Sequence, residues 1–257
     1  MVASHKKQEI QDATDDLLWG INAVHEALRK NARSLSELLV QKGKAGPKVQ
    51  EIIDLARQHT IKVRFVEAER LPVPRNCRHQ GVIARQTKAE FLPLEELVEQ
   101  TKADNGRILL LDSIQDPRNL GSILRSALAA GFQSIILTRE RSAPLTGTVA
   151  RASAGAIAHL RLAQVVNLVS ALELLKEQGF WIYGSVAEQE VPSIYTTDFS
   201  GQLGLVIGSE GKGIRPLVRK HCDHLVTIPM SGDFDSLNAS VAAALIMFEV
   251  VRQGEIT

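Results

Sequence analysis

The sequence predicts an α/β protein in two parts, a small α/β domain followed by a larger domain built on a parallel sheet. Three observations lead there. After residue 105, short and fully apolar runs alternate with longer amphipathic stretches, the pattern of strands buried on both faces and helices that cover them. An acidic, proline-bearing segment at 91–104 separates this region from what precedes it. Charge divides at the same place: residues 17–90 hold 14 Lys/Arg against 7 Asp/Glu, a net +7, whereas residues 105–257 hold 13 against 14.

Taken in order, residues 1–16 are polar, lack the apolar stretch of a secretory signal, and read as a loose tail. From Trp19, GINAVHEALRK reads as a helix with Ile21, Val24 and Leu28 on one face. An apolar run at 38–40 and a break at Gly46-Pro47 follow, then a second helix with Val49, Ile52, Ile53 and Ala56 at helical spacing. Residues 61–66 alternate as a strand and 81–84 form another apolar run, which makes a compact αβαβ-type domain over 17–90. Residues 91–104 are expected to be a linker with one short helix, ended by a turn at Asp104-Asn105-Gly106. In the second domain, at 105–257, strands are expected at 108–111, 134–137, 160–166, 180–186, 203–207 and 225–229. Helices are expected at 120–130, 168–178, 216–221 and 240–252, two of them stopping at Gly131 and Gly179.

Several classes are disfavoured. No apolar run approaches the ~18 residues that span a bilayer, so no membrane association is expected. Cys77 and Cys222 form no CxxC pair, which signals neither a disulfide framework nor a zinc ribbon and suits a reducing cytoplasm. His221 and His224 flank Cys222, but a zinc site needs about four ligands, so no metal is expected. Neither GxxxxGK[ST] nor a strand followed by GxGxxG is present, which argues against Walker and Rossmann nucleotide sites. The basic N-terminal part suits a polyanion, since neutralised phosphates release counterions; a solvated basic surface is the plainer alternative.

Three segments stand out because polar and glycine residues cluster just after expected strands, where parallel sheets bind ligands. The first is DSIQDPRNLGSILR at 112–125, in which Asp116-Pro117 shapes a turn, Asn119 opens a helix and Gly121 permits close approach. Its plain reading is a turn, a helix cap and a surface arginine. The second is GSEGKG at 208–213, whose three glycines free the backbone to wrap a ligand. Glu210 there is either a ligand-orienting carboxylate or a loop charge beside Lys212. The third is IPMSGDFDSLNAS at 228–240, where Ser236 or Asn238 can cap the final helix.

Together the segments DPRNLGSILRSA, VIGSEGKGI and IPMSGDFDSLNASVA resemble, in order and spacing, the three motifs of the SpoU/TrmH family of the SPOUT RNA methyltransferases. The resemblance covers 108–252. The WGINAVHEAL region is similar to the ribosomal-protein-like substrate-binding domain that precedes the catalytic domain in one branch of that family. Ser126 stands where the family often has threonine and Ala239 where it often has valine; neither change removes a motif polar group. The resemblance implies a deep trefoil knot in the C-terminal domain, which periodicity does not reveal. It also implies S-adenosylmethionine as cofactor, held near Gly208, Ile228, Met230 and Leu237, and a homodimer whose active site uses both subunits. The apolar last helix, with Val241, Leu245, Ile246 and Phe248, suits such an interface or simple core packing.

The implied activity is 2′-O-ribose methylation of RNA, with a guanosine of large-subunit rRNA as the expected target. The implied catalytic residues are Asn119, Arg125, Glu210, Ser236 and Asn238. A guanidinium stays charged, so Arg125 is expected to hold a neighbouring phosphate and steady the developing alkoxide rather than act as a base. Two alternatives remain at this point: a tRNA ribose methyltransferase of the same family, and a non-catalytic RNA-binding ribosome-assembly factor.

Overall fold

The computed structural model describes residues 17–32, 35–73, 79–86, 91–104, 106–188, 190–231 and 237–254. The expected tail at 1–16, together with Cys77, Asn105 and Ser236, lies outside them. The chain divides into two compact units, 1–89 with 145–148, and 90–144 with 149–257.

The first unit contains β1 (Leu17–Trp19), α1 (Ile21–Asn31), β2 (Leu35–Gln41), α2 (Pro47–Gln58), β3 (Lys62–Val66) and β4 (Val82–Gln86). Its sheet runs β1-β4-β2-β3. Strands β2 and β3 are parallel, and parallel neighbours need a crossover, which α2 provides. Pro47 at the first position of α2 leaves no backbone donor unpaired there. The expected apolar faces are the ones buried: Val24 and Leu28 on α1, and Val49, Ile52, Ile53 and Ala56 on α2. One strand departs from expectation. Residues 17–19 pair antiparallel with β4, and the helix begins only at Ile21. Leu-Leu-Trp is too short to show a period, so its strand state depends on a partner more than 60 residues away.

The second unit contains α3 (Leu94–Ala103), β5 (Arg107–Asp112), α4 (Pro117–Ala129), β6 (Ser134–Thr138), α5 (Gly147–Ala152, in this unit from Val149), β7 (Arg161–Val165) and α6 (Leu168–Glu177). It continues with β8 (Trp181–Ser185), β9 (Leu203–Gly208), α7 (Pro216–Lys220), β10 (His224–Val226) and α8 (Ala239–Gly254). The six strands form one sheet in the order β10-β8-β9-β5-β6-β7, and every pairing is parallel. The chain moves outward from β5 through β6 and β7, then returns to build the other side, so β9 lies directly against β5. Ligands in open parallel sheets bind at such a reversal of strand order. All six expected strands are present. The last is shorter than 225–229 because Pro229 has no N–H to offer a ladder and residues 228–230 leave the sheet.

Residues 91–104 are not a linker but part of this unit. Leu97 and Val98 on α3 belong to the same buried cluster as Ile108, Leu110, Ile136 and Leu172. The buried Thr101 hydroxyl lies 2.6 Å from both the Leu97 carbonyl and the Ser134 hydroxyl, and Asp104 pairs with Arg161. The acidic composition that suggested a linker belongs to the outer face of a packed helix: Glu95, Glu96 and Asp104 are exposed or half-buried while Leu97 and Val98 face inward. Among the described residues no helix is long and apolar enough to cross a membrane.

Leu97 is fully buried, so Leu97→Ala is expected to lower the unfolding free energy by about 2–5 kcal/mol in a urea titration. A loss within about 0.5 kcal/mol, typical of a surface change, would restore the linker assignment.

Candidate active site

The three motif segments converge where β5 and β9 end side by side, with Asp112 directly opposite Gly208 in the ladder. From β5 the chain turns into α4, and Asp116 caps that helix by accepting a bond from the Arg118 N–H at 2.8 Å. Pro117 occupies its first turn. A Cβ at Gly121 would stand 2.3 Å from that of Ala152, so this glycine is what lets α4 approach α5.

After β9 the backbone doubles back on itself. The Ser209 N–H donates to the Gly213 carbonyl at 3.1 Å, and the Gly213 N–H donates to the Ser209 carbonyl at 2.9 Å. The reversal is so tight that a Cβ on Gly208 would lie 2.1 Å from the Gly213 carbonyl carbon. Only glycine fits there. Glu210, Gly211 and Lys212 form the exposed tip.

Three of the expected site residues, one from each segment, meet through hydrogen bonds. The Asn119 Nδ2 donates to Glu210 Oε1 at 2.6 Å. Asn238 Nδ2 donates to the same oxygen and lies 3.1 Å from Asn119 Oδ1. Asn238 also serves the helix: its Oδ1 accepts from the Ser240 N–H at 2.9 Å and the Ser240 hydroxyl at 2.6 Å. Asn238 therefore both caps the last helix and joins the cluster with Asn119 and Glu210. Arg125 is not in this cluster. It is exposed, and at 3.6 residues per turn it stands about 120° around α4 from Asn119. Ser236, outside the described residues, has no placement.

Beside the cluster, Gly208, Ile228, Met230 and Leu237 line one cleft of about 560 Å³, together with Glu210 and the residues just past β8. That volume falls in the range of small-molecule sites, as does its mix of apolar side chains and a few polar groups. Arg219 and Glu188 border the cleft as a bidentate pair, and the Arg219 guanidinium holds the Glu188 carboxyl below its ordinary range.

Sequence reasoning missed Asp112 and Arg215. Asp112 is fully buried, and it accepts from the Arg215 backbone N–H at 2.8 Å and from Arg215 Nε at 2.6 Å. The Ser113 hydroxyl adds a third bond at 3.1 Å. A carboxylate at the end of the apolar run RILLLD was the available signal, since a buried carboxylate demands a cation. The His221–His224 cluster does not converge. His221 turns to the Leu217 carbonyl, Cys222 packs by Gly184 with its thiol pushed up to about 12 by burial, and His224 stacks on Tyr183.

The parallel sheet, its glycine-rich return loop and the ligand-sized cleft beside it lie within the part of the chain that matches a family of known methylases. Residues 106–248 match the model of the SpoU rRNA Methylase family, and residues 17–92 match RNA 2'-O ribose methyltransferase substrate binding. The chain belongs to the SpoU rRNA methylase family. It is 44% identical over 237 residues to the 23S rRNA (guanosine-2'-O-)-methyltransferase RlmB of Xanthomonas campestris pv. campestris, covering 91% of this chain and 95% of the relative. It is 41% identical to the putative TrmH family tRNA/rRNA methyltransferase YacO of Bacillus subtilis, covering 93% and 96%. The AdoMet-bound rRNA methyltransferase of Sinorhizobium meliloti shares the fold, with a TM-score of 0.72 at 23% identity over 94% of this chain and 89% of that one.

Gly208→Ala is expected to cost about 1–3 kcal/mol by overpacking and to speed hydrogen exchange at the Ser209 and Gly213 amides. Full stability with unchanged protection of both amides would show that the reversal has room to spare.

Proposed function

We propose that the protein transfers a methyl group from S-adenosylmethionine to the ribose 2′-hydroxyl of a guanosine in 23S rRNA. One observation carries the reading: Asn119, Glu210 and Asn238, from three distant segments, are hydrogen-bonded together at the rim of the cleft that Gly208, Ile228, Met230 and Leu237 line. Family membership and the name borne by a relative 44% identical over nearly its whole length support the substrate.

The cleft fits the donor in size, and Ile228, Met230 and Leu237 offer an apolar wall for a flat base while the loop after Gly208 offers backbone groups for the polar part. When bound, S-adenosylmethionine supplies a methyl carbon made electrophilic by its sulfonium. What remains for the protein is in-line positioning and the removal of one proton. No histidine lies within the three motif segments. Glu210, held by two asparagine amides, fixes the loop and the ribose together with Asn238, and the family resemblance assigns Ser236 a catalytic part. Arg125 grips a phosphate beside the target and steadies the alkoxide, and phosphate or water takes the proton.

The family resemblance implies a homodimer whose active site uses both subunits, and the position of Arg125 outside its own chain's Asn119–Glu210–Asn238 cluster fits that reading. Val241, Leu245 and Phe248 recur at helical spacing on α8 and remain 48%, 40% and 49% exposed, which supports a covered face there. The proposed topology is a deep trefoil knot made by the second and third segments; the position of β9 between β8 and β5 supports it. The N-terminal unit is read as a ribosomal-protein-like RNA grip, with its net +7 in support, and the protein as cytoplasmic. The Bacillus subtilis relative is named a putative tRNA/rRNA methyltransferase, which keeps a tRNA target as the second reading.

Arg125→Ala is expected to reduce methyl transfer about 10²-fold or more while donor affinity by calorimetry stays near that of the wild type. Equal loss of both would contradict the role given to Arg125. In a deletion strain, ribose-methylation mapping is expected to lose one guanosine mark in 23S rRNA; a mark lost in tRNA alone would overturn the rRNA assignment.

A further inference from the structure

A second cleft, of about 690 Å³, also borders the return loop and shares Asn119 and Glu210 with the hydrogen-bonded cluster already described. Three cations line it: Arg141, Lys212 and Arg215. Its carboxylates are already engaged. Asp116 caps α4, and Glu210 accepts from Asn119 and Asn238.

Arg215 differs from an ordinary surface cation. Its Nε and backbone N–H are both tied to the fully buried Asp112, while the side chain remains 36% exposed. The guanidinium is therefore pinned along one edge, and neither of its terminal Nη groups has a partner among the described residues. An arginine fixed in this way loses little freedom when a second anion arrives, and the free edge matches two oxygens of a tetrahedral oxyanion.

We infer that Arg215, braced by Asp112 and joined by Arg141 and Lys212, forms a subsite for an RNA backbone phosphate flanking the nucleotide whose ribose meets Asn119 and Glu210. The inference rests on the proposed RNA methyl transfer, because that reaction puts a ribose at the shared wall of the two clefts. The phosphate is a different one from that assigned to Arg125. The subsite anchors the strand and takes no part in bond making.

The test compares wild type with Arg215→Gln, using unmethylated 23S rRNA transcript titrated at several KCl concentrations and S-adenosylmethionine binding by calorimetry. RNA affinity is expected to fall about tenfold or more, and the slope of log affinity against log salt to flatten by about 0.7–0.9, the value for one lost phosphate contact. Donor affinity falls less than RNA affinity, because the Arg215 backbone N–H still donates to Asp112, and Arg215→Lys, which keeps the charge, recovers the slope. A wild-type slope in Arg215→Gln overturns the inference. So does a loss of donor affinity equal to the loss for RNA, which would make Arg215 nothing more than a brace of the donor loop or a ligand of the donor's carboxylate. If Arg215→Gln fails to fold, Lys212→Gln on the exposed loop tip is read in the same way, and an unaltered slope there overturns the shared subsite. A wild-type protein that binds the transcript but transfers no methyl would refute the proposed function, while the slope comparison still decides the phosphate subsite.

Discussion

The site depends on a closed loop of backbone at the end of β9. Gly208 stands opposite Asp112 in the sheet, the chain reverses through Ser209 and Gly213, and Arg215 then returns to the carboxylate of that same Asp112. Both ends of an eight-residue segment are thus tied to one residue of β5. The reversal leaves no space for a side chain at its start, and the buried carboxylate leaves no alternative to a cation at its end. Glu210 is held at the tip by this closure before any ligand is present.

Such closure has a physical cost. A carboxylate removed from water is unfavourable unless its hydrogen bonds are complete, and Asp112 has three donors within 3.1 Å. What the fold gains is fixed direction in the groups around the cleft, and oriented groups that need not rearrange are the main source of electrostatic catalysis. Asn238 adds a second coupling. Its carbonyl oxygen starts α8, while its amide nitrogen holds Glu210. The beginning of the last helix and the position of the loop are therefore one structural event, and a side chain that could cap but not donate would separate them.

Much of the fold was legible because burial leaves a local record. Ile108, Leu109, Leu110 and Leu111 have 0% exposure, and a strand covered on both faces must be apolar at every position. The same reasoning marks Val206 and Ile207. It fails where state depends on a partner rather than on a period. Leu17–Trp19 is a strand because β4 offers an edge. Gly147–Ala152, a helix of six residues, is too short to show amphipathicity. The acidic helix at 94–103 misled for the opposite reason, since its polar face outweighed two buried apolar positions, Leu97 and Val98. In the site, the glycine cluster and the capping residues were legible from turn and cap chemistry. The Asp112–Arg215 pair was not, because no local pattern relates residues 103 apart.

The charge distribution suggests why a pinned arginine matters in a chain that already carries a basic part. Residues 17–90 hold a net +7 and residues 105–257 a net −1, so long-range attraction for a polyanion comes from the first part. At physiological salt such attraction decays over about 8 Å, and it cannot choose which nucleotide of a bound strand enters a cleft. Register has to come from short-range contacts of fixed geometry. A lysine on an exposed loop offers charge without direction, whereas Arg215 has one edge locked to Asp112 and the other turned to solvent. Under the proposed reading, the basic unit gathers RNA and the braced guanidinium sets which ribose lies beside Asn119 and Glu210. Capture and choice then fall to different charges in the same chain.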